Sequence, residues 1–194
     1  MRMPRWLNLA NLFTLARLLA VPFAARAILL GEHRRALIIV LAAGLTDAVD
    51  GAIARRFGMM TPEGAYLDPV VDKIFLSVVY ISLAASSGVP PWWLVGVIFA
   101  RDFLLLASTA VAMRFLGMRR FPPSIWGKAS TFLQIALALL ILIQNAVGGA
   151  PPPDVTFWVV AGLTGLSGIH YIWRGLRSLN TRYKTLIDGG LARE

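Results

Sequence analysis

The sequence contains no cysteine among its 194 residues, and only ten of them are acidic. The absence of cysteine excludes disulfide bridges and thiolate chemistry. Charged residues as a whole are scarce, at 15% of the chain, whereas 57% of the residues are hydrophobic and the mean hydropathy is +0.68. Because one small core cannot bury that much apolar surface, the composition predicts a protein whose solvent is a membrane.

Six apolar stretches contain most of the hydrophobic residues, and each is close to the ~20 residues that a helix needs to cross a bilayer. They cover residues 9–30, 36–55, 63–86, 91–113, 126–146 and 155–173. The sequence therefore predicts an all-α integral membrane protein with six transmembrane helices, forming a single domain over residues 1–194. A cleaved signal peptide is an alternative for the first stretch, but no small-residue cleavage site follows it.

The basic residues predict the orientation of these helices. Thirteen of the nineteen Lys and Arg residues fall in the two termini and in two connections on the same side, whereas the opposite side has only Arg34 and Arg35. Lys and Arg are enriched on the cytoplasmic side, so both termini are expected in the cytoplasm, in a bacterial-type inner membrane. The net charge of +9 then forms a collar at anionic lipid headgroups, and nucleic-acid binding is not needed to explain it.

The stretch LTDAVDGAIARRFGMMTPEGAYLDPVVDK, residues 45–73, contains five of the ten acidic residues, and four of them are the aspartates Asp47, Asp50, Asp68 and Asp72. Spacings of three and four residues place each pair on one face of a helix. A helix is expected to end near Gly58, and the next to begin at Thr61 and Pro62. The window thus predicts a helical hairpin, with its carboxylates close together at the cytoplasmic edge of a polar cavity.

Carboxylates in a membrane span are costly, by about 2.5–3.5 kcal/mol each on the insertion scale, and need a compensating partner. Clustered acids repel one another unless concentrated positive charge lies between them, which favours two divalent ions such as Mg²⁺ or Mn²⁺. Pairing with the four basic residues of the spans is the alternative, and would leave internal salt bridges without chemistry. Those basic residues are Arg17, Arg26, Lys73 and Arg101. A small cation transporter is a further alternative, but the acids do not line a route through the bilayer.

Small residues accompany the acids. Gly44, Ala48, Gly51, Ala54, Gly64 and Ala65 leave the facing sides of both helices nearly bare. Close helix packing through small residues is the ordinary explanation. Because Arg55 follows at headgroup level and arginine matches phosphate geometry, a flat face of this kind is also suited to a diphosphate.

The motif Asp47-x-x-Asp50-Gly51-x-x-Ala54-Arg55, then eight residues, then Gly64-x-x-x-Asp68-x-x-x-Asp72, resembles the signature of the CDP-alcohol phosphotransferases. Members of that family are membrane proteins of six helices and are usually dimeric. The resemblance implies metal-dependent transfer of a phosphatidyl group from CDP-diacylglycerol to an alcohol, with release of CMP. It also implies that the enzyme is a homodimer in contact with membrane lipid.

The resemblance also implies roles for the residues of the motif. Asp47, Asp50 and Asp68 hold the metals, whereas Asp72 is the general base and a further metal ligand. The nucleotide and its diphosphate contact the small residues and the arginine of the motif, which here are Gly51, Ala54, Arg55 and Gly64.

Residues outside this motif are expected to bind the acceptor alcohol. The opening NLANLFTLARLLAVP resembles that of phosphatidylglycerophosphate synthases, which implies that Asn11, Thr14 and Arg17 lie near the headgroup pocket. Arg101 and Lys128 are positive groups suited to an acceptor phosphate, which favours glycerol 3-phosphate or phosphatidylglycerol over a neutral acceptor. Glycerol 3-phosphate is the expected acceptor, because that activity is the commoner one in the family that the chain resembles. Phosphatidylglycerol is the alternative, because "RDFLLL" and "SGIHYIWRG" resemble CMP-forming cardiolipin synthases, and Arg-Asp replaces the Arg-Glu common in phosphatidylglycerophosphate synthases. His170 and Tyr171 lie within SGIHYIWRG, and we expect both of them at the membrane interface.

Overall fold

The chain folds into six α-helices in the computed structural model. The structure describes the backbone of residues 9–56, 62–116 and 125–191, and the side chains of residues 14–46, 49, 70–108 and 125–173. The helices are α1 (Leu9–Leu29), α2 (His33–Arg56), α3 (Pro62–Ser87), α4 (Trp92–Leu116), α5 (Ile125–Val147) and α6 (Asp154–Leu191). The described segments contain no β-strand, which confirms the all-α prediction.

Each predicted apolar stretch corresponds to one helix, and α3 begins at Pro62 as predicted. The end of α6 differs, because this helix continues to Leu191 whereas the predicted span ends at residue 173. The apolar stretch stops where Arg174 and Arg177 enter the sequence. Helical hydrogen bonds do not require apolar side chains, so the helix continues past the point where the hydrophobic signal is lost. The predicted helix end at Gly58 and the predicted cap Thr61 lie outside the described residues.

Glycine ends three of the helices. Gly31, Gly88 and Gly148 follow α1, α3 and α5 with φ values of +71°, +68° and +70°. After α1, the amide of Glu32 donates a hydrogen bond to the carbonyl of Ala27 at 2.8 Å, as in a Schellman motif. The left-handed conformation costs glycine little because it has no Cβ, so these positions fix where the chain turns back.

By its internal contacts the chain divides into two compact units. The first comprises Met1–Val95 with Ile135–Pro153, and the second comprises Gly96–Gln134 with Asp154–Glu194. In the first unit α1 packs against both α2 and α3. The buried face of α1 is polar at Thr14 and Arg17 and apolar further along, at Ala24, Ala27 and Ile28. One stripe of α1 therefore serves both as a core surface and as the support of a polar site.

The outer surfaces of the helices are apolar. Leu19, Phe23, Phe103, Phe132 and Ile169 are all exposed. The five tryptophans whose side chains are described are exposed as well, each near the end of an apolar stretch, as expected at membrane interfaces. Within the described residues, three helices contain segments long and apolar enough to cross a bilayer: Val70–Ser87, Ile125–Val147 and Asp154–Trp173. These features are those of a membrane protein.

Candidate active site

The four aspartates of the acidic window lie on two helices. Asp47 and Asp50 belong to α2, and Asp68 and Asp72 belong to α3. At about 100° per residue, the members of the two pairs are about 60° and 40° apart around their helix axes, so each pair shares a face. The side chains of Asp47, Asp50 and Asp68 lie outside the described residues, and Asp72 is the one whose carboxylate is described.

Asp72 forms an ion pair with Arg17. Nη1 of Arg17, on α1, donates a hydrogen bond to Oδ1 of Asp72, on α3. The arginine side chain is 7% exposed, whereas the aspartate side chain is 45% exposed. A buried cation is thus neutralised by a carboxylate that water can still reach. The pair joins the predicted general base to a predicted acceptor-binding residue, and it is also one of the pairings that the salt-bridge alternative requires.

Thr14 lies one helical turn before Arg17 and is buried on the same face of α1. The leucines between and after them, Leu15, Leu18 and Leu19, are exposed. The face predicted to approach the headgroup is therefore directed into the protein, where it meets α3 through Arg17. Asn11, the third residue of the predicted set, lies outside the described side chains.

The residues of the acidic window fit a divalent-metal site by donor chemistry. Carboxylate oxygens are the ligands that Mg²⁺ and Mn²⁺ prefer, and the half-exposed carboxylate of Asp72 is accessible to an ion. Among the described side chains, no three His, Asp or Glu residues cluster in a way that could hold a metal. The carboxylates of Asp47, Asp50 and Asp68 are not among these side chains, because they lie outside the described residues.

The predicted nucleotide-binding residues have helical backbones. Gly51, Ala54 and Arg55 belong to α2, and Gly64 belongs to α3; their surroundings are outside the described part of the chain. Gly44 is described, and a Cβ added there meets no atom of the described residues within 4 Å.

Arg101, on α4, is held in the second unit by contacts from three helices. Its side chain is only 4% exposed. Nη1 donates to Oδ1 of Asp102 at 2.8 Å, and Nη2 donates to Oγ of Ser167 on α6 at 2.9 Å and to the carbonyl of Gly127 on α5 at 3.2 Å. Nε is buried and has no hydrogen-bond partner among the described residues.

Lys128 directly follows Gly127, whose carbonyl contacts Arg101. The lysine side chain is exposed. The two residues predicted to bind the acceptor phosphate in this part of the sequence are therefore neighbours in the second unit. One of them is buried and fixed by hydrogen bonds, whereas the other is exposed to solvent.

Sequence reasoning missed a group of buried polar residues in the same unit. Ser130, Gln134 and Thr164 are completely buried. Oγ of Ser130 and Oγ1 of Thr164 are 3.1 Å apart, and Nε2 of Gln134 donates to both, at 3.3 and 3.1 Å respectively. The signal was present in the sequence, because polar residues at helical spacing inside apolar spans usually join neighbouring helices.

Comparison with known proteins finds, along most of the chain, the family that the acidic motif resembles. A family model described as CDP-alcohol phosphatidyltransferase matches residues 7–168. A probable phosphatidylglycerophosphate synthase from Mycobacterium tuberculosis is 33% identical over 183 residues, which cover 89% of this chain and 83% of that protein.

Two further relatives differ in the reaction that their names give. The CDP-diacylglycerol–glycerol-3-phosphate 3-phosphatidyltransferase of Bacillus subtilis is 31% identical over 202 residues, covering 89% of this chain and 99% of the relative. A CMP-forming cardiolipin synthase from Streptomyces coelicolor is 31% identical over 168 residues, covering 81% and 76%. The acidic motif of residues 47–72 lies inside the matched region, and the chain belongs to the CDP-alcohol phosphatidyltransferase family.

Proposed function

We propose that the protein transfers the phosphatidyl group of CDP-diacylglycerol to glycerol 3-phosphate, as a phosphatidylglycerophosphate synthase. Relatives with that activity in their names align over most of this chain. The observation that favours a phosphate-bearing acceptor is the buried guanidinium of Arg101, whose Nε lacks a hydrogen-bond partner among the described residues. A phosphate oxygen suits such a donor, because charge-assisted hydrogen bonds to arginine are strong and directional.

In this proposal Asp47, Asp50, Asp68 and Asp72 hold two Mg²⁺ or Mn²⁺ ions, and Gly51, Ala54, Arg55 and Gly64 contact the nucleotide diphosphate. Two divalent ions, when bound, offset the negative charge of the diphosphate and stabilise both the attacking and the leaving oxygen. The small residues allow the helix backbones to approach the diphosphate, and Arg55 offers paired donors to its oxygens.

Asp72 accepts the proton of the acceptor hydroxyl in the proposed reaction. The hydroxyl oxygen forms a bond to the phosphorus that carries the diacylglycerol, and the bond from that phosphorus to the CMP oxygen breaks. CMP leaves with the electron pair of that bond. Arg17 holds the carboxylate in place from α1, and the partial exposure of Asp72 leaves it accessible to the hydroxyl.

The membrane arrangement is part of the same proposal. All six helices cross the bilayer, both termini and the polar cavity of the active site face the cytoplasm, and residues 1–194 form one family domain that assembles as a homodimer in a bacterial-type inner membrane. The helix lengths support six crossings, because the shortest helix, α1, has 21 residues. At 1.5 Å per residue such a helix is about 31 Å long, close to the hydrocarbon thickness of about 30 Å.

Cardiolipin synthesis from phosphatidylglycerol is the second candidate. It is favoured by the cardiolipin synthase among the relatives and by the ion pair of Arg101 with Asp102. This pair is neutral overall, so it offers less positive charge than an unpaired cation would, and a phosphodiester with one negative charge requires less of it than the dianionic phosphate of glycerol 3-phosphate. Membership of a transferase family removes the ground for the cation transporter considered from the sequence.

To test which acceptor is used, purified protein is incubated with CDP-diacylglycerol, Mg²⁺ or Mn²⁺, and either labelled glycerol 3-phosphate or phosphatidylglycerol. Lipid chromatography and CMP release are measured together. We expect labelled phosphatidylglycerophosphate from glycerol 3-phosphate, and loss of activity with a chelator or in Asp47→Ala and Asp72→Asn. Glu32→Gln, which removes an acid paired with Arg35 at the surface, should retain activity. CMP release with phosphatidylglycerol alone would establish the second candidate instead.

A further inference from the structure

The side-chain contacts of the second unit join three helices around Arg101. The guanidinium on α4 is linked to α5 through the carbonyl of Gly127 and to α6 through Ser167. Hydrogen bonds between Ser130 and Thr164 join α5 to α6. All three helix pairs are therefore connected by hydrogen bonds that involve buried side chains.

The contacts occupy only part of the donor capacity of Arg101. A guanidinium has five N–H groups; Asp102, Ser167 and Gly127 accept from three of them. The Nε–H is buried and has no hydrogen-bond partner among the described residues. Because a buried donor without an acceptor is unfavourable, the arrangement indicates an acceptor that belongs to a bound molecule.

An arginine side chain needs such supports to present this donor in a fixed direction. Its stem has several rotatable bonds, and much rotamer freedom is lost when it is held in one geometry. Asp102 comes from the same helix and offsets the charge. Ser167 comes from α6, and an added Cβ on the neighbouring Gly168 would lie 3.7 Å from Cγ of Arg101. The guanidinium is thus supported by its own helix on one side and by α6 on another.

We propose that Asp102 and Ser167 are positioning residues, which hold the Arg101 guanidinium so that its Nε–H binds a phosphate oxygen of the acceptor. The inference rests on the proposed function, because it requires that Arg101 contacts the acceptor. It adds that the affinity for a phosphate-bearing acceptor depends on residues that do not touch the acceptor themselves.

Steady-state kinetics with glycerol 3-phosphate test the proposal through Ser167→Ala. We expect the KM for glycerol 3-phosphate to rise roughly fivefold to tenfold, on the scale of one ordinary hydrogen bond. The kcat and the KM for CDP-diacylglycerol should stay within about twofold. Ser130→Ala is the matched control, because Ser130 is also a fully buried serine with a hydrogen bond. A role confined to helix packing would give both serine variants the same kinetic change, and that result would overturn the proposal.

The double variant Arg101→Ala/Ser167→Ala shows whether Ser167 acts through Arg101. If it does, Ser167→Ala adds no further rise in KM once Arg101 has been removed; a full additional rise contradicts the proposal. Asp102→Asn gives a second test from the other side of the guanidinium, with a rise in KM of similar size expected, and it serves if Ser167→Ala does not fold. Normal acceptor KM in Arg101→Ala alone would refute the acceptor site itself. A raised KM in Arg101→Ala together with unchanged kinetics in Ser167→Ala and Asp102→Asn would refute only the positioning role.

Discussion

The ion pair between Arg17 and Asp72 predicts an asymmetric response to losing either partner. Removing one member of a buried ion pair typically costs about 3–5 kcal/mol of stability, because the other charge is left uncompensated. In this pair the arginine side chain is 7% exposed and the aspartate side chain 45% exposed. Asp72→Asn leaves the buried charge, so we expect a loss of about 1–3 kcal/mol after allowing for solvent screening.

Arg17→Met is expected to have a smaller effect on stability than Asp72→Asn. It replaces the buried cation by an apolar side chain of similar length and leaves a carboxylate that water can hydrate, so the expected loss is about 0–1 kcal/mol. The double variant should lie within about 1 kcal/mol of the unmodified protein, because neither charge remains. The coupling between the two sites is therefore expected at about 1–2 kcal/mol.

The measurement is reversible unfolding in mixed detergent micelles with a chelator present, because divalent ions bound to the aspartates would stabilise the folded state. Arg35→Met is the control. Arg35 pairs with Glu32 at 3.0 Å, but its side chain is 75% exposed, so this variant should change the free energy of unfolding by less than about 0.5 kcal/mol. If Arg17→Met proved more destabilising than Asp72→Asn, the reasoning from burial would be refuted.

Three further predictions concern stability and acceptor binding. Thr164→Val removes a hydroxyl that contacts Ser130 and Gln134, and it should cost about 1–2 kcal/mol in the same unfolding assay. Thr156→Val on the same helix should cost less. Equal losses would contradict a specific role for the hydrogen bonds among Ser130, Gln134 and Thr164. Gly88→Ala should cost about 1–2 kcal/mol because of its positive φ. Gly96→Ala, inside α4 with no atom of the described residues within 4 Å of an added Cβ, should stabilise the protein by about 0.5–1 kcal/mol. The opposite order would show that the φ argument is wrong. Lys128→Ala should raise the acceptor KM by less than about threefold, because an exposed charge is screened by water. A rise in KM larger than that of Arg101→Ala would show that Lys128, and not Arg101, contributes more to acceptor binding.

The helices and their order were predictable because the signal for them is one-dimensional. An apolar stretch of about 20 residues is a property of consecutive residues, and all six predicted stretches correspond to helices. The start of α3 followed from Pro62, whose missing N–H is tolerated in a first turn. The extent of α6 was not predicted, because hydropathy marks where a helix can leave the bilayer and not where its hydrogen bonds stop.

The candidate site was predictable in part. The spacing of Asp68 and Asp72 set their shared face once the segment was helical, and it also carried the resemblance to the family that the comparisons confirmed. The partner of Asp72 was not predictable, since four basic residues of the spans were available to it. Asp102 was visible as the neighbour of Arg101, but its ion pair with Arg101 and the support from Ser167 were not.

The sequence by itself determined where this chain forms apolar helices, how the acidic residues are spaced along two of them and which family the chain belongs to, because each is a property of residue order. Only the tertiary structure decided that Arg17 neutralises Asp72 across 55 positions and that Ser167 holds Arg101 across 66 positions. Such contacts depend on which helix faces meet, and that is set by packing over the whole of each unit, whereas the spacing of polar residues shows only which of them share a face.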